Sequence, residues 1–134
     1  MNKLNVIIVY NKEKNKVLMC NREKEPYKGK LNLVGGKVEK NEIDLEAAYR
    51  ELYEETGISK EDIKLIHIMK FEYEKPNFRL DVYAGQLNKN INLVEELNKL
   101  YWIDLKENFF DENRFAGEGN IGHMLKIAER FEIK

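Results

Sequence analysis

One segment of the chain combines a helical apolar pattern with a dense run of acids, and it limits the possible folds more than any other. Between about Asp44 and Thr56, apolar residues recur at the spacing of one helix face: Leu45, Ala48 and Leu52. Gly57 follows at a position where helices commonly end in glycine, and either Asn41 or Asp44 could cap the start. The spacing predicts an amphipathic helix over residues 44–56 that packs its apolar face against the rest of the protein.

The neighbouring face of this helix is acidic. At about 100° per residue, Glu51, Glu54 and Glu55 fall within an arc of about 100°. Residues 39–55 hold seven acidic and two basic side chains, a net charge of −5 in a chain whose total is −1. Like charges three or four residues apart destabilise a helix by about 0.2–0.5 kcal/mol per pair, and a bound divalent cation such as Mg²⁺ would relieve that repulsion. On charge alone, a metal site and a solvated charged face both stay open.

The other apolar runs predict strands and a second helix. The strands are predicted at Leu4–Tyr10, Lys16–Arg22, Leu31–Val34, Ile63–Tyr73, Phe78–Leu87 and Leu100–Ile103. The first two would form a hairpin, and a turn around Lys75, Pro76 and Asn77 would join the fourth and fifth. A helix over Asn120–Phe131, capped by Asn120, closes the chain. For 134 residues, this order predicts one α/β domain in which helices pack on the faces of a mixed sheet.

Composition excludes several classes of function. The single Cys20 rules out an intrachain disulfide and a zinc site built from thiolates. The net charge of −1 gives no basic field for a nucleic acid polymer or a membrane surface. The longest apolar run near the N-terminus, residues 6–10, is too short for a signal peptide or a bilayer span, so a cytoplasmic location is predicted. No motif gives Cys20, His67 or His123 a partner, so both histidines are predicted to be structural or surface residues and Cys20 a small strand residue.

Nine spaced positions over residues 36–58 form one motif: Gly36, Glu42 and Arg50-Glu51-Leu52-x-Glu54-Glu55-x-Gly57-Ile58. This motif resembles the Nudix box, the signature of the Nudix (MutT-like) hydrolases. The resemblance extends more loosely along the chain, which implies a single Nudix domain over residues 1–134. It also implies an α/β/α sandwich around a central mixed sheet. The implied reaction is hydrolysis, with Mg²⁺ or Mn²⁺, of a nucleoside diphosphate linked to a further moiety.

By this resemblance, the metal would be held by three carboxylates and one carbonyl, those of Glu51, Glu54, Glu55 and Gly35. Either Glu51 or Glu54 would also orient or deprotonate the attacking water. A further metal carboxylate is expected about six residues before Trp102, at Glu96, with Glu95 beside it and a solvated loop glutamate as the alternative.

Two further residues, Glu42 and Arg50, resemble the family pair that ties a loop to the helix. The planar fork of arginine can hold a carboxylate through two hydrogen bonds. The alternative partner for Arg50 is Glu46, one helical turn earlier. Gly35 and Gly36 are expected to let the backbone approach the metal and to turn it from a strand into a loop.

The segments around the box look most like the branch that hydrolyses oxidised purine triphosphates such as 8-oxo-dGTP. Arg22 and Lys37 would meet phosphates, and Asn32 and Asn120 would contact the base unless Asn120 only caps its helix. Leu31 departs from the tryptophan that many members have there. Three rings are candidate stacking partners or else core residues: Phe78, Phe110 and Phe115.

The box does not specify the leaving group. The alternatives are a nucleotide sugar, ADP-ribose or a dinucleoside polyphosphate as substrate, or a non-catalytic module that only binds nucleotides. Both a monomer and a homodimer agree with the sequence.

Overall fold

The elements follow one another along the chain in the predicted order. The computed structural model describes residues 1–75 and 77–134. Within that part the strands are β1 (Asn2–Tyr10), β2 (Lys16–Asn21), β3 (Leu31–Lys37), β4 (Ile66–Tyr73), β5 (Phe78–Gln86) and β6 (Leu100–Asp104). The helices are α1 (Asp44–Thr56) and α2 (Asn120–Ala128). The turn predicted between β4 and β5 includes Pro76, which lies outside the described residues.

The strands form a single mixed sheet in the order β4-β5-β1-β3-β2-β6. β1 pairs with β5 in parallel, and the other neighbours are antiparallel. The predicted β1–β2 hairpin is correct only next to its turn, where Tyr10 pairs with Val17. Beyond that pair, β3 lies between the two strands and pairs with residues 4–7 of β1.

Each face of the sheet is covered by one helix, because successive strand residues point to opposite faces. Ile7 and Val9 pack in a core with Ala48 and Leu52 of α1. Ile8 and Tyr10 lie in the core that α2 covers, through Ile121, Met124, Leu125 and Ala128. The predicted α/β/α sandwich is therefore confirmed.

The bounds of α1 are as predicted, but its cap and part of its buried face are not. Ile43 precedes the helix in an extended conformation and makes no side-chain cap, so neither Asn41 nor Asp44 caps it. Gly57 ends the helix at φ +81° and donates its N–H to the carbonyl of Tyr53. Leu45 in the first turn is exposed and Ala47 is buried instead, because periodicity defines a face but not how far the neighbouring sheet extends.

The second helix is shorter than predicted. Gly119 precedes it in the left-handed conformation, and Asn120 is its first residue with no capping hydrogen bond from its side chain. The helix ends at Ala128 rather than Phe131. In the part of the chain that the structure describes, no helix has both the length and the apolar character needed to cross a membrane.

Candidate active site

Two glycines in β3 bring the acidic helix and the central strand together. The prediction that the chain turns from a strand into a loop at Gly35 and Gly36 is wrong. β3 continues to Lys37, and the two glycines pair with Val6 and Asn5 of β1. A Cβ atom on Gly36 would overlap the carboxylate of Glu51. Gly35 has φ +152°, and a Cβ there would overlap the backbone of Asn5 and Val6. Glycine is therefore needed at residue 36 for the close approach of α1 and at residue 35 for the close approach of β1.

The three glutamates of the acidic stripe differ in burial. The Glu54 side chain is 56% exposed, whereas that of Glu51 is 16% exposed. Burial raises the pKa of Glu51, against a hydrogen bond from Arg50. Burial raises the pKa of Glu55 to about 7, and the charge of Glu51 adds to the rise while hydrogen bonding to the backbone of Gly35 opposes it. The desolvated end of the stripe lies at Glu55, next to β3.

Arg50 connects the acidic stripe to the preceding loop. Its Nε and Nη2 donate to the two carboxylate oxygens of Glu42 at 2.7 and 2.9 Å, and Nη2 also donates to the carbonyl of Lys37 at 2.9 Å. Nη1 donates to Glu51 at 3.0 Å and approaches Glu54 at 3.3 Å. Hydrogen bonds from Arg50 lower the pKa of Glu42 to about 2. Glu46 pairs with Lys60 instead, so Glu42 is the partner of Arg50.

The donor set at this end of the helix suits a hard divalent cation. Carboxylate and carbonyl oxygens are the ligands that Mg²⁺ prefers, and the buried carboxylate of Glu55, with its raised pKa, is a group that an added cation would stabilise. Within residues 1–75 and 77–134, however, no three acidic, histidine or cysteine side chains converge into a ready-made cage. Arg50 lies between Glu51 and Glu54, which keeps their negative charges balanced and apart. The residues fit a metal, but they are not gathered around one point.

A cavity of about 540 Å³ extends from Glu55 of α1 along β1 and β3 to α2. The predicted site residues that line it are Arg22, Asn32, Gly35, Glu55 and Asn120. Those that do not line it are Lys37, Glu51, Glu54 and Glu96. Its size lies within the range of about 300–1,000 Å³ found for small-molecule sites. The cavity has an anionic end at the helix and a long apolar and amide-bearing remainder.

The polar residues of the cavity are held by nearby backbone. Arg22 donates from Nε to the carbonyl of Pro26 at 2.7 Å, and its charge lowers the pKa of Glu55. Asn32 accepts the N–H of Leu33 at 2.8 Å, and Tyr27 donates to Glu118 at 2.7 Å across the mouth of the cavity. This last contact joins the loop after β2 to the loop before α2.

The loop that carries Glu95 and Glu96 reaches the cavity through a different residue. Both glutamates are exposed, and Glu95 accepts the N–H of Leu100 at 2.7 Å. Asn98 lines the cavity. The structure therefore does not place Glu96 with the other candidate ligands.

Only one of the three candidate rings lines the cavity. Phe78 does so together with Tyr73, and the two rings stack with centroids 4.6 Å apart. Phe115 is buried in the core against Phe109, and Phe110 lies outside the cavity against His123. Tyr73 was not predicted, because it faces Phe78 through the β4–β5 pairing, whose register the sequence does not reveal.

Two more polar residues were missed or misjudged. His67 does have a partner, since its Nε2 lies 2.7 Å from Oδ1 of the buried Asp81. Asn5 is 3% exposed and accepts the N–H of Gly36 at 3.0 Å. A polar residue at an inward position of an otherwise apolar strand is the signal that could have identified Asn5. Cys20 lies in β2, as predicted for a small strand residue, and burial raises the pKa of its thiol to about 11.

Comparison with known proteins gives matches along most of the chain. Residues 1–122 match the NUDIX domain family. The chain is 35% identical over 97 residues to an ADP-ribose pyrophosphatase of Methanocaldococcus jannaschii. This match covers 64% of this chain and 57% of that protein. A MutT/nudix family protein from Enterococcus faecalis superposes with a TM-score of 0.65 and 25% identity, over 79% of this chain and 44% of that one. An Ap4A hydrolase of C. elegans superposes with a TM-score of 0.76 and 19% identity, over 98% and 97% of the two chains.

These matches differ in what they show. The chain spans 57% of the length of the archaeal relative and 44% of the enterococcal one. The likeness to the Ap4A hydrolase, at 19% identity, concerns the fold. The family match extends over residues 1–122 and includes the whole acidic helix with both glycines of β3. On that match, this chain belongs to the Nudix family.

Proposed function

We propose that this chain is a Nudix hydrolase that cleaves a phosphoric anhydride bond in a nucleoside diphosphate derivative, with Mg²⁺ or Mn²⁺ as cofactor. The observation that carries the proposal is the position of Glu55. Its desolvated carboxylate forms one end of a cavity that is large enough for a nucleotide and is also lined by Gly35 and Arg22. A buried acid with a raised pKa in a cleft is a common mark of a functional site.

In this proposal, Glu51, Glu54, Glu55 and the carbonyl of Gly35 hold the cation. When bound, the cation would offset the charge on the phosphate oxygens and favour ionisation of water. Glu51 or Glu54 accepts the proton of the attacking water, whose oxygen forms a bond to phosphorus as the bridging P–O bond breaks. Arg22 supplies positive charge along the cavity, and Arg50 keeps Glu51 in place beside Gly36.

For the substrate, we propose a purine nucleoside triphosphate, with 8-oxo-dGTP as the first candidate. Asn32 and Asn120 line the cavity and offer amide donors and acceptors to a base edge. The stacked pair of Tyr73 and Phe78 offers an aromatic surface at the same cavity. The products would be the nucleoside monophosphate and pyrophosphate.

A second candidate is ADP-ribose, which is favoured by the 35% identity to an ADP-ribose pyrophosphatase. Cleavage of its anhydride would release AMP and ribose 5-phosphate. A dinucleoside polyphosphate or a nucleotide sugar would use the same chemistry with other leaving groups.

A substrate panel separates these candidates. We expect pyrophosphate and monophosphate in equal amounts from 8-oxo-dGTP with Mg²⁺, and a kcat/KM at least about tenfold above that for dGTP, because a site that hydrogen-bonds one base edge discriminates against a base that lacks the matching groups. Product chromatography with dGTP, 8-oxo-dGTP, ADP-ribose and a dinucleoside polyphosphate makes the test, with a chelator as control. Equal rates on dGTP and 8-oxo-dGTP would remove support for the oxidised base, and faster cleavage of ADP-ribose would favour the second candidate. No cleavage of any of them, or of a nucleotide sugar, would indicate a nucleotide-binding module.

Replacing Gly36 by alanine is expected to lower kcat by about tenfold to a hundredfold while the protein stays folded. The new Cβ would overlap the Glu51 carboxylate, which is the movable end of its side chain, so the carboxylate would shift and the backbone would stay. Steady-state kinetics and thermal unfolding of the same samples measure the two effects. A kcat within twofold of the parent would show that the position of Glu51 does not matter for turnover.

A further inference from the structure

Asn5 is a polar side chain buried in the central strand. It lies 3% exposed on the face of β1 that α1 covers, next to positions held by Ile7 and Val9. Burying a side-chain amide is unfavourable unless its hydrogen bonds are made. The Oδ1 of Asn5 accepts the N–H of Gly36 in β3 at 3.0 Å. Its Nδ2 is buried and has no partner in the described part of the chain.

On the other side of β1, the residue opposite Asn5 in the parallel pairing with β5 is Asp81. Asp81 is 1% exposed, and its Oδ1 accepts from His67 at 2.7 Å and from Arg79 at 3.0 Å. Its Oδ2 is also buried without a partner among the described residues. An amide donor and a carboxylate acceptor thus belong to side chains on one face of adjacent strands. The donor Nδ2 of Asn5 and the acceptor Oδ2 of Asp81 are both without a partner among the described residues, while Oδ1 of Asn5 is bonded to β3.

The peptide that Asn5 holds lies against the acidic helix. The Cα of Gly36 is so close to the Glu51 carboxylate that a Cβ would overlap it. Hydrogen bonding from the backbone of Gly35 lowers the pKa of Glu55, and hydrogen bonding from that of Lys37 lowers the pKa of Glu51. The residues whose backbone influences the two carboxylates, Gly35 and Lys37, therefore flank the N–H of Gly36 that Asn5 holds.

We propose that Asn5, oriented by Asp81, is a positioning residue that sets the backbone of residues 35–37 against Glu51 and Glu55. The role rests on the proposed function, because the position that it sets is that of the candidate cation ligands. Asn5 also lines the cavity beside Gly35 and Gly36, and the role proposed for it acts through the peptide that it holds. Groups that orient metal ligands typically change metal affinity or activity by about 10- to 100-fold when they are removed.

The first test is the Asn5→Leu variant, which keeps the size of the side chain and removes the acceptor. We expect Mn²⁺ affinity, measured by electron paramagnetic resonance, to fall about tenfold, and kcat to fall about tenfold with KM for the nucleotide within about twofold. The amide resonance of Gly36 should shift in the absence of any cation. Ile7→Ala, a core change two residues along the same face, serves as the control and should lower the unfolding temperature without changing Mn²⁺ affinity.

A pair of reciprocal changes tests the part played by Asp81. Asn5→Asp alone places a second carboxylate beside Asp81, and we expect Mn²⁺ affinity to fall at least as far as in Asn5→Leu. Combining it with Asp81→Asn restores one carboxylate and one amide in exchanged positions, with an acceptor still facing Gly36. The double variant should recover most of the lost affinity, which a residue that merely fills space would not allow.

The outcomes separate the two proposals. If the parent protein binds Mn²⁺ and hydrolyses nucleotides, and Asn5→Leu does both equally well, the positioning role is overturned and the proposed function stands. If the parent protein does neither, the proposed function is overturned and the positioning role with it. Should Asn5→Leu not fold, Asn5→Ala is compared with Ile7→Ala in the same Mn²⁺ titration, and equal affinities overturn the role.

Discussion

Replacing Glu51 by glutamine is expected to lower kcat by about 10²- to 10⁴-fold at saturating nucleotide and Mg²⁺. Glutamine keeps the size of the side chain and an acceptor for Arg50, so the fold should be retained. It removes the negative charge with which the carboxylate would bind the cation and accept the proton of the attacking water. Glu54→Gln is expected to have an effect in the same range, and the variant with the greater loss identifies the residue that takes the proton.

The control for both variants is Glu46→Gln. Glu46 lies on the same helix, is 53% exposed and pairs with Lys60 rather than Arg50. The kcat of the Glu46→Gln variant should therefore stay within about twofold of that of the parent. Steady-state kinetics and isothermal titration with Mg²⁺ measure the effects on turnover and binding. If Glu54→Gln keeps turnover within a few-fold of the parent, the assignment of the metal ligands is wrong.

Glu55→Gln is expected to stabilise the metal-free protein at pH 8 while it abolishes turnover. Burial raises the pKa of Glu55 to about 7 from its ordinary value of 4.5. Between these values the folded protein holds a proton that the unfolded chain releases. The stability that this proton contributes is complete below about pH 4.5 and is lost as the pH rises through about 7. Glutamine stays neutral at every pH and avoids this loss, which is of the order of 1–3 kcal/mol.

Thermal unfolding in a chelator at pH 5.5 and pH 8 measures this effect. The parent should lose more stability than Glu55→Gln between the two values, and Mg²⁺ at pH 8 should raise the unfolding temperature of the parent alone. The pKa of Glu42 is lowered to about 2, so that carboxylate stays ionised over the whole interval and does not obscure the result. Parallel pH profiles of the two proteins would show that the Glu55 carboxylate is not desolvated.

The local part of the site could be predicted from sequence. The bounds of α1, its acidic face and its terminal glycine follow from spacing along one short segment, where side-chain positions depend on helix geometry alone. Leu45 was assigned to the buried face wrongly because burial depends on the extent of the sheet beneath it. The β4–β5 register, which stacks Tyr73 on Phe78, could not be predicted either, because the sequence does not reveal how two strands pair.

The contacts that a sequence does not reveal join strands distant along the chain. Asn5 meets Gly36 because β3 lies beside β1, and it faces Asp81 because β5 runs parallel to β1 on the other side. Neither pairing is implied by adjacent segments, since a hairpin between β1 and β2 was the simpler prediction. The hydrogen bond of His67 to Asp81 was missed because it depends on the pairing of β4 with β5.

The walls of the cavity come from separate stretches of chain. Gly35, Gly36 and Glu55 line the anionic end, whereas the far walls include Tyr73, Phe78 and Leu80 together with residues between Gly117 and Met124. Mutations in those distant stretches reshape the contour around a ligand without disturbing the acids on the first helix. Under the proposed function, a change of substrate would therefore require changes in these walls and none in the candidate metal ligands.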